Sequence, residues 1–162
     1  MDKSKLVNPF SWKSIKEFYK NLVSLKGKPS RIAMSMAIGI FFGIFMPVGF
    51  QLIFTVPICV YFNLNVIVAS TATFVTNPLT VLPLYVGIVK LGEFLTQIHI
   101  SWFKFEKLID NPTIDNLLNL GADSLIVFFS GSLFTGTISA ILIYLITLKL
   151  IKNYRLKNNS NL

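Results

Sequence analysis

Apolar residues fill this chain in two long stretches, and the polar positions around them set the plan of the fold. No Asp, Glu, Lys or Arg occurs from Ile32 to Val89, and none from Ser124 to Leu148. A spanning helix needs about 20 mostly apolar residues, so the second stretch is long enough for one pass with some tilt. The first is long enough for more than one. It is interrupted at Pro47-Val48-Gly49, Pro57, Asn63-Leu64-Asn65, Asn77-Pro78 and Pro83, and no piece between these turn signals is a clean full-length span. Three full crossings would use about 60 residues before any turn, more than the stretch holds.

The flanking segments carry other patterns. Residues 9–26 place Ile15, Phe18, Tyr19 and Leu22 on one helical face and Lys13, Lys16 and Lys20 elsewhere, which predicts a helix lying in a membrane interface. Trp12 suits that depth, and Gly27 and Pro29 break the chain after it. Residues 98–123 mix Ile98, Ile100, Trp102, Phe103 and Phe105 with charges, the character of a second interfacial segment.

Charge orients this plan. Residues 1–31 carry Lys3, Lys5, Lys13, Lys16, Lys20, Lys26, Lys28 and Arg31 against Asp2 and Glu17, and residues 149–162 carry Lys149, Lys152, Arg155 and Lys157 with no acid. Both ends are therefore expected on the cytoplasmic side, and no cleaved signal peptide is expected. Residues 90–123, where Glu93, Glu106, Asp110, Asp115 and Asp123 outnumber Lys90, Lys104 and Lys107, are expected on the other face. Two cytoplasmic ends and one crossing in the last stretch require an odd number in the first. The arrangement that follows is all-α and polytopic, with short, Pro/Gly-broken or re-entrant helices. A basic N-terminal segment (1–31) precedes a membrane domain (32–148) and a basic tail (149–162). The domain comprises a re-entrant hairpin over 32–62, a broken crossing over 65–97, a non-cytoplasmic segment over 98–123 and a last transmembrane helix over 124–148. Four short crossings remain an alternative.

Composition excludes several functions. Of 162 residues, 53% are hydrophobic and 14% charged, far from a soluble composition. The net charge of +8 does not point to nucleic acid, because the basic residues flank apolar runs and suit anionic lipid headgroups. Cys59 is alone and His99 has no second histidine near it in sequence, so neither cofactor nor metal is expected. The buried part offers no general acid and base, no nucleophile with a base and no intramembrane acid. An enzyme is disfavoured, and would need His99 folded back against Glu93 or Asp123.

What remains is polar and uncharged. Asn77-Pro78 reads as a helix start, since Asn caps well and Pro suits the first helical position. Twelve residues from an interfacial Asn65 would put Asn77 about 18 Å deep, near the middle of a hydrocarbon core about 30 Å thick. The turn at Pro47-Val48-Gly49 predicts another start near Phe50-Gln51. Two helix N-termini meeting in the membrane would suit an anionic group. Gln51, Asn77 and Thr80 are the expected ligand contacts, with Thr76 and Gly49 beside them, and Pro47, Pro78 and Pro83 making the breaks. Arg31 and Lys90, at the edges of the uncharged run, would attract the ligand. Alternatively, the Gln51 and Asn77 side chains cap those amides and close a dry turn. Small residues at four-residue spacing, including Gly39 and Gly43 and then Gly131 and Gly136, predict close helix packing, expected within the chain ahead of a homo-oligomer seam.

These stretches also carry a resemblance. Pro29-Ser30-Arg31-Ile32-Ala33, Ala37-Ile38-Gly39 with Gly43, Pro47-Val48-Gly49-Phe50-Gln51, and Asn77-Pro78-Leu79-Thr80 with Pro83 and Tyr85 resemble the bacterial membrane family termed domain of unknown function 2062. The resemblance implies a small multi-pass membrane domain and carries over no activity and no residue role. The expectation is a bacterial inner-membrane protein for transport or lipid handling. The alternative is a structural or assembly protein packed against a membrane partner.

Overall fold

The computed structural model describes residues 21–25, 27–77, 79–100 and 114–159, and in the last stretch the side chains of 121–157. Five helices are given by the described residues: α1 Pro29–Phe45, α2 Gln51–Tyr61, α3 Val66–Thr73, α4 Val81–Thr96 and α5 Ile114–Asn159. No strand occurs among them.

Local chemistry sets most of the ends. Gly27 holds φ at +121° ahead of Pro29, the first residue of α1, where the missing N–H costs nothing. Met46 precedes Pro47 and is extended (φ −96°, ψ 143°), as the steric demand of a following proline requires. α1 therefore stops at Phe45. Gly49 turns the chain at φ +102°, and α2 starts at Gln51. After α2, Asn63 takes a left-handed φ of 52°, and the Asn65 side chain accepts from the Val68 amide at 3.0 Å, capping α3.

One expectation is corrected. The regular part of α4 begins at Val81, not at Asn77-Pro78, because Asn77 spends its hydrogen bonds on an irregular turn described below; Pro78 itself lies outside the described residues. α5 runs well beyond the uncharged stretch 124–148 at both ends. Its polar flanks contain no proline, and a change of solvent does not end a helix. Of the interfacial segments, residues 1–20 and 101–113 lie outside the described residues. Leu22 and Val23 are buried in one cluster with Ile32, Met36 and Ile151.

α1 is the centre of the assembly. α5 packs antiparallel to it: Ser132 Oγ lies 3.5 Å from the Phe45 carbonyl, Gly136 faces Phe41, and Arg155 donates to the carbonyls of Gly27 (2.7 Å) and Leu25 (2.8 Å). α2 returns beside α1, which puts the Asn63 carbonyl 3.5 Å from the Arg31 guanidinium. α3 then runs parallel to α1 at a constant offset of 30 residues: the Asn65 amide donates to Ser35 Oγ, Gly39 lies on Ala69, and Gly43 lies on Thr73. α4 packs antiparallel on the N-terminal part of α5, with Gly92 on Val127 and Gly131 on Ile88. At Gly39, Gly92 and Gly131 any Cβ would overlap a backbone carbonyl of the neighbouring helix. These glycines are what allow the close approach.

Polar side chains share the apolar core, and large apolar ones are exposed. Ser35, Gln51, Thr55, Thr73, Thr76, Ser132 and Thr147 are buried, while large apolar side chains such as Ile67 (79% exposed), Leu82 (73%) and Phe94 (70%) point out. α5 contains one segment, Gly121–Lys157, long and apolar enough to cross a membrane by length and composition; α1 and α2 are apolar but shorter.

Candidate functional site

The two helix breaks meet. Thr76, in the turn after α3, sits level with Gly43 near the end of α1, and its Oγ1 lies 2.8 Å from the Gly43 carbonyl, 3.2 Å from the Thr73 carbonyl and 3.2 Å from the Gln51 amide oxygen at the start of α2. Thr76 is 2% exposed and Gln51 4%. A hydroxyl has one proton and two lone pairs. With the proton on the nearest acceptor, Gly43, the amide of Gln51 serves best turned over, its Nε2 donating to Thr76. On α2, Gln51, Thr55 and Cys59 form one buried line at helical spacing, and Thr55 Oγ1 donates to the Gln51 carbonyl at 2.7 Å.

The second half of the node is a self-contained turn. Asn77 Oδ1 accepts from the amides of Leu79 (2.9 Å) and Thr80 (3.2 Å), and the Asn77 carbonyl accepts from Thr80 (3.0 Å) and Val81 (2.8 Å). Thr80 Oγ1 donates to the Val75 carbonyl at 2.6 Å and accepts from the Asn77 amide at 3.1 Å. These bonds occupy the donors that a helix start would otherwise leave open. Among the described residues no buried side-chain nitrogen or oxygen lacks a partner. As drawn, the node is closed.

Of the expected residues, Gln51 and Thr76 meet directly, and Asn77 and Thr80 form the adjoining turn. Gly49 and Pro47 shape the bend, Gly49 exposed and Pro47 half-buried; Pro83 is exposed in the first turn of α4, where a missing N–H leaves no helical bond unmade. Arg31 and Lys90 are not brought to the node. Arg31 lies twelve residues before Gly43 on α1, about 18 Å by helical rise, and Lys90 is exposed two turns along α4. α3 starts level with Ser35, and the node is level with the end of α1.

Four contributors make contacts that no local signal specifies, although Ser35 and Ser132 lie on the small-residue lines at four-residue spacing. Tyr85 Oη accepts from the Val48 amide at 3.0 Å and pins the hairpin turn to α4; Ser35 joins α1 to α3; Ser132 joins α5 to Phe45; Arg155 clasps Leu25 and Gly27 just ahead of α1. His99 is exposed, and Glu93 accepts from the Ile100 amide at 2.7 Å. Among the described residues no three His, Cys, Asp or Glu side chains converge.

Residues 12–160 match the family described as "Uncharacterized protein conserved in bacteria (DUF2062)". No curated protein and no solved structure matches the chain.

Proposed function

The chain belongs to this DUF2062 family of bacterial proteins, and since the family's description supplies no activity, we propose from its geometry that it is a small polytopic inner-membrane protein for transport or lipid handling. The observation that carries this reading is the apolar exterior. Isoleucine, leucine and phenylalanine side chains are widely exposed around an apolar core, and hydroxyls and one amide are buried within it. That surface suits lipid, where packing and internal hydrogen bonds hold helices together.

Dimensions support the same reading. Lys90 lies between Ile88 and Gly92, whose partners on α5 are Gly131 and Val127. From that level to Lys149 is twenty residues of α5, about 30 Å, the thickness of a hydrocarbon core. α1 and α2 form a re-entrant hairpin, and α3 with α4 makes one broken crossing. Arg155 against Gly27 and Leu25 keeps both ends on one side, the cytoplasmic one by charge. The node then sits about 22 Å from the cytoplasmic edge by helical rise, about 8 Å from the far face. Opening there would present the Leu79 and Thr80 amides and the Gln51 amide to a polar or anionic group. The step is movement or binding, without bond chemistry.

A second reading, a structural or assembly protein, is favoured by the internal hydrogen bonds of the node, where no buried side-chain polar atom among the described residues lacks a partner. Single cysteines at Gln51 and Asn77, in a Cys59→Ser background, decide between them with membrane-impermeant thiol reagents. Labelling at both from the non-cytoplasmic side supports transport or lipid handling. Protection from both sides in folded protein refutes it and supports assembly.

A further inference from the structure

Away from the node, α1 and α5 border a groove of graded polarity. Its first part, about 400 Å³, is lined by Ser30, Arg31, Met34, Ile38, Leu64 and Tyr144 among others. Through Met34, Ile38 and Tyr144 it continues into a trough of about 320 Å³ walled further by Phe41 and Ala140. Through Arg31 and Leu64 it adjoins a hollow of about 260 Å³ that adds Lys28 and Asn63. Among the described residues no acidic side chain lines any of the three. The basic end also holds the start of α1, which has no side-chain cap and no acid in its first turn.

We propose that this groove binds one anionic phospholipid of the cytoplasmic leaflet, phosphate at Arg31 and Lys28 and one acyl chain along the trough. Arg31 is exposed, and its hydrogen bond to the Asn63 carbonyl is long, 3.5 Å. A guanidinium has five donors in a fork suited to phosphate, so most of its capacity faces the groove. From Arg31 to Phe41 is ten residues of α1, about 15 Å, half of a core about 30 Å thick. From its basic end to the end of the trough, the groove therefore has the length of one leaflet. A free phosphate would use the basic end and leave the trough without purpose; a second copy of a chain with net charge +8 would bring like charge to it.

The inference rests on the membrane reading above, and the experiment separates the two. The full chain is purified in mild detergent, equilibrated with equal phosphatidylglycerol and phosphatidylcholine, and examined by native mass spectrometry. Preferential retention of one phosphatidylglycerol is expected. Arg31→Gln should lower that preference about fivefold, equivalent to ~1 kcal/mol for one basic contact with anionic lipid, while Lys90→Gln leaves it unchanged. Met34→Trp, at an exposed position of the wall, should reduce retention of both lipids. Equal retention of the two lipids by the wild type, an unchanged preference in Arg31→Gln, or displacement by glycerol phosphate as effective as by whole lipid would overturn the proposal. Release of the wild-type chain from membranes by alkaline carbonate would instead remove the membrane reading itself.

Discussion

Two glycines on one helix separate packing from propensity. Gly87 and Gly92 both lie inside α4, so replacing either with alanine gains the same helix propensity, up to ~1 kcal/mol. A Cβ at Gly87 meets nothing within 4 Å, whereas one at Gly92 would overlap the carbonyl of Val127 and come within 3.0 Å of the Val127 side chain. The obstacle is backbone, so relief requires α4 to move away from α5 by about 1 Å, a gap that forfeits a quarter to a half of each dispersion contact. Overpacking of this kind costs ~1–3 kcal/mol. Because the propensity gain cancels between the variants, Gly92→Ala should be less stable than Gly87→Ala by that amount. The assay is reversible loss of helicity in mixed micelles against denaturing detergent. Gly131→Ala, whose Cβ would overlap the Ile88 carbonyl and lie 2.9 Å from the Gly92 nitrogen, should behave like Gly92→Ala. The double variant should cost less than the two together, since one displacement of α4 relieves both clashes. Equal stability of Gly87→Ala and Gly92→Ala would refute the close approach.

Thr76→Val keeps the shape and removes the hydroxyl shared by Gly43 and Gln51, so it should lose ~1–3 kcal/mol in the same assay, while Thr76→Ser should lose much less. Asn77→Ala should cost about 1 kcal/mol, as loss of a cap does, and should speed amide hydrogen exchange at Leu79 and Thr80; unchanged exchange there would contradict the turn geometry. Arg155→Ala removes two hydrogen bonds to the carbonyls of Leu25 and Gly27, and limited proteolysis near Gly27 should become faster. Single cysteines at Lys28 and Asn153 should react with an impermeant reagent from one side of the membrane and a cysteine at His99 from the other; all three reacting from one side would remove the crossing scheme.

The residues that end helices were legible because their effects are local. Pro47 forces Met46 out of helical conformation, Gly49 supplies a positive φ, and Asn65 caps the helix that follows it. Reach across helices was not legible. Nothing near Ser35, Tyr85 or Arg155 in the chain says that each will meet a backbone group 30 or more residues away, because that depends on the register of packed helices. α5 outruns the uncharged stretch for a related reason: charges report the solvent around a side chain, and backbone continuity is indifferent to them.

The node shows why the same residues support opposite functional readings from sequence. Thr76, Asn77 and Thr80 have the right groups to hold a ligand and also the right groups to cap the amides that their own proline-broken turn sets free. Only the geometry assigns the donors, and it assigns them internally: Asn77 to Leu79 and Thr80, Thr80 to Val75, Thr76 to Gly43. A ligand at this place therefore has to replace bonds already made, so its binding must be coupled to opening of the turn. At Arg31 the donors face a groove with a long single bond to give up, and binding there needs no such opening. The two places differ in what must be broken before anything is bound, and a lipid held at the first α1 turn can stay while the node opens and closes.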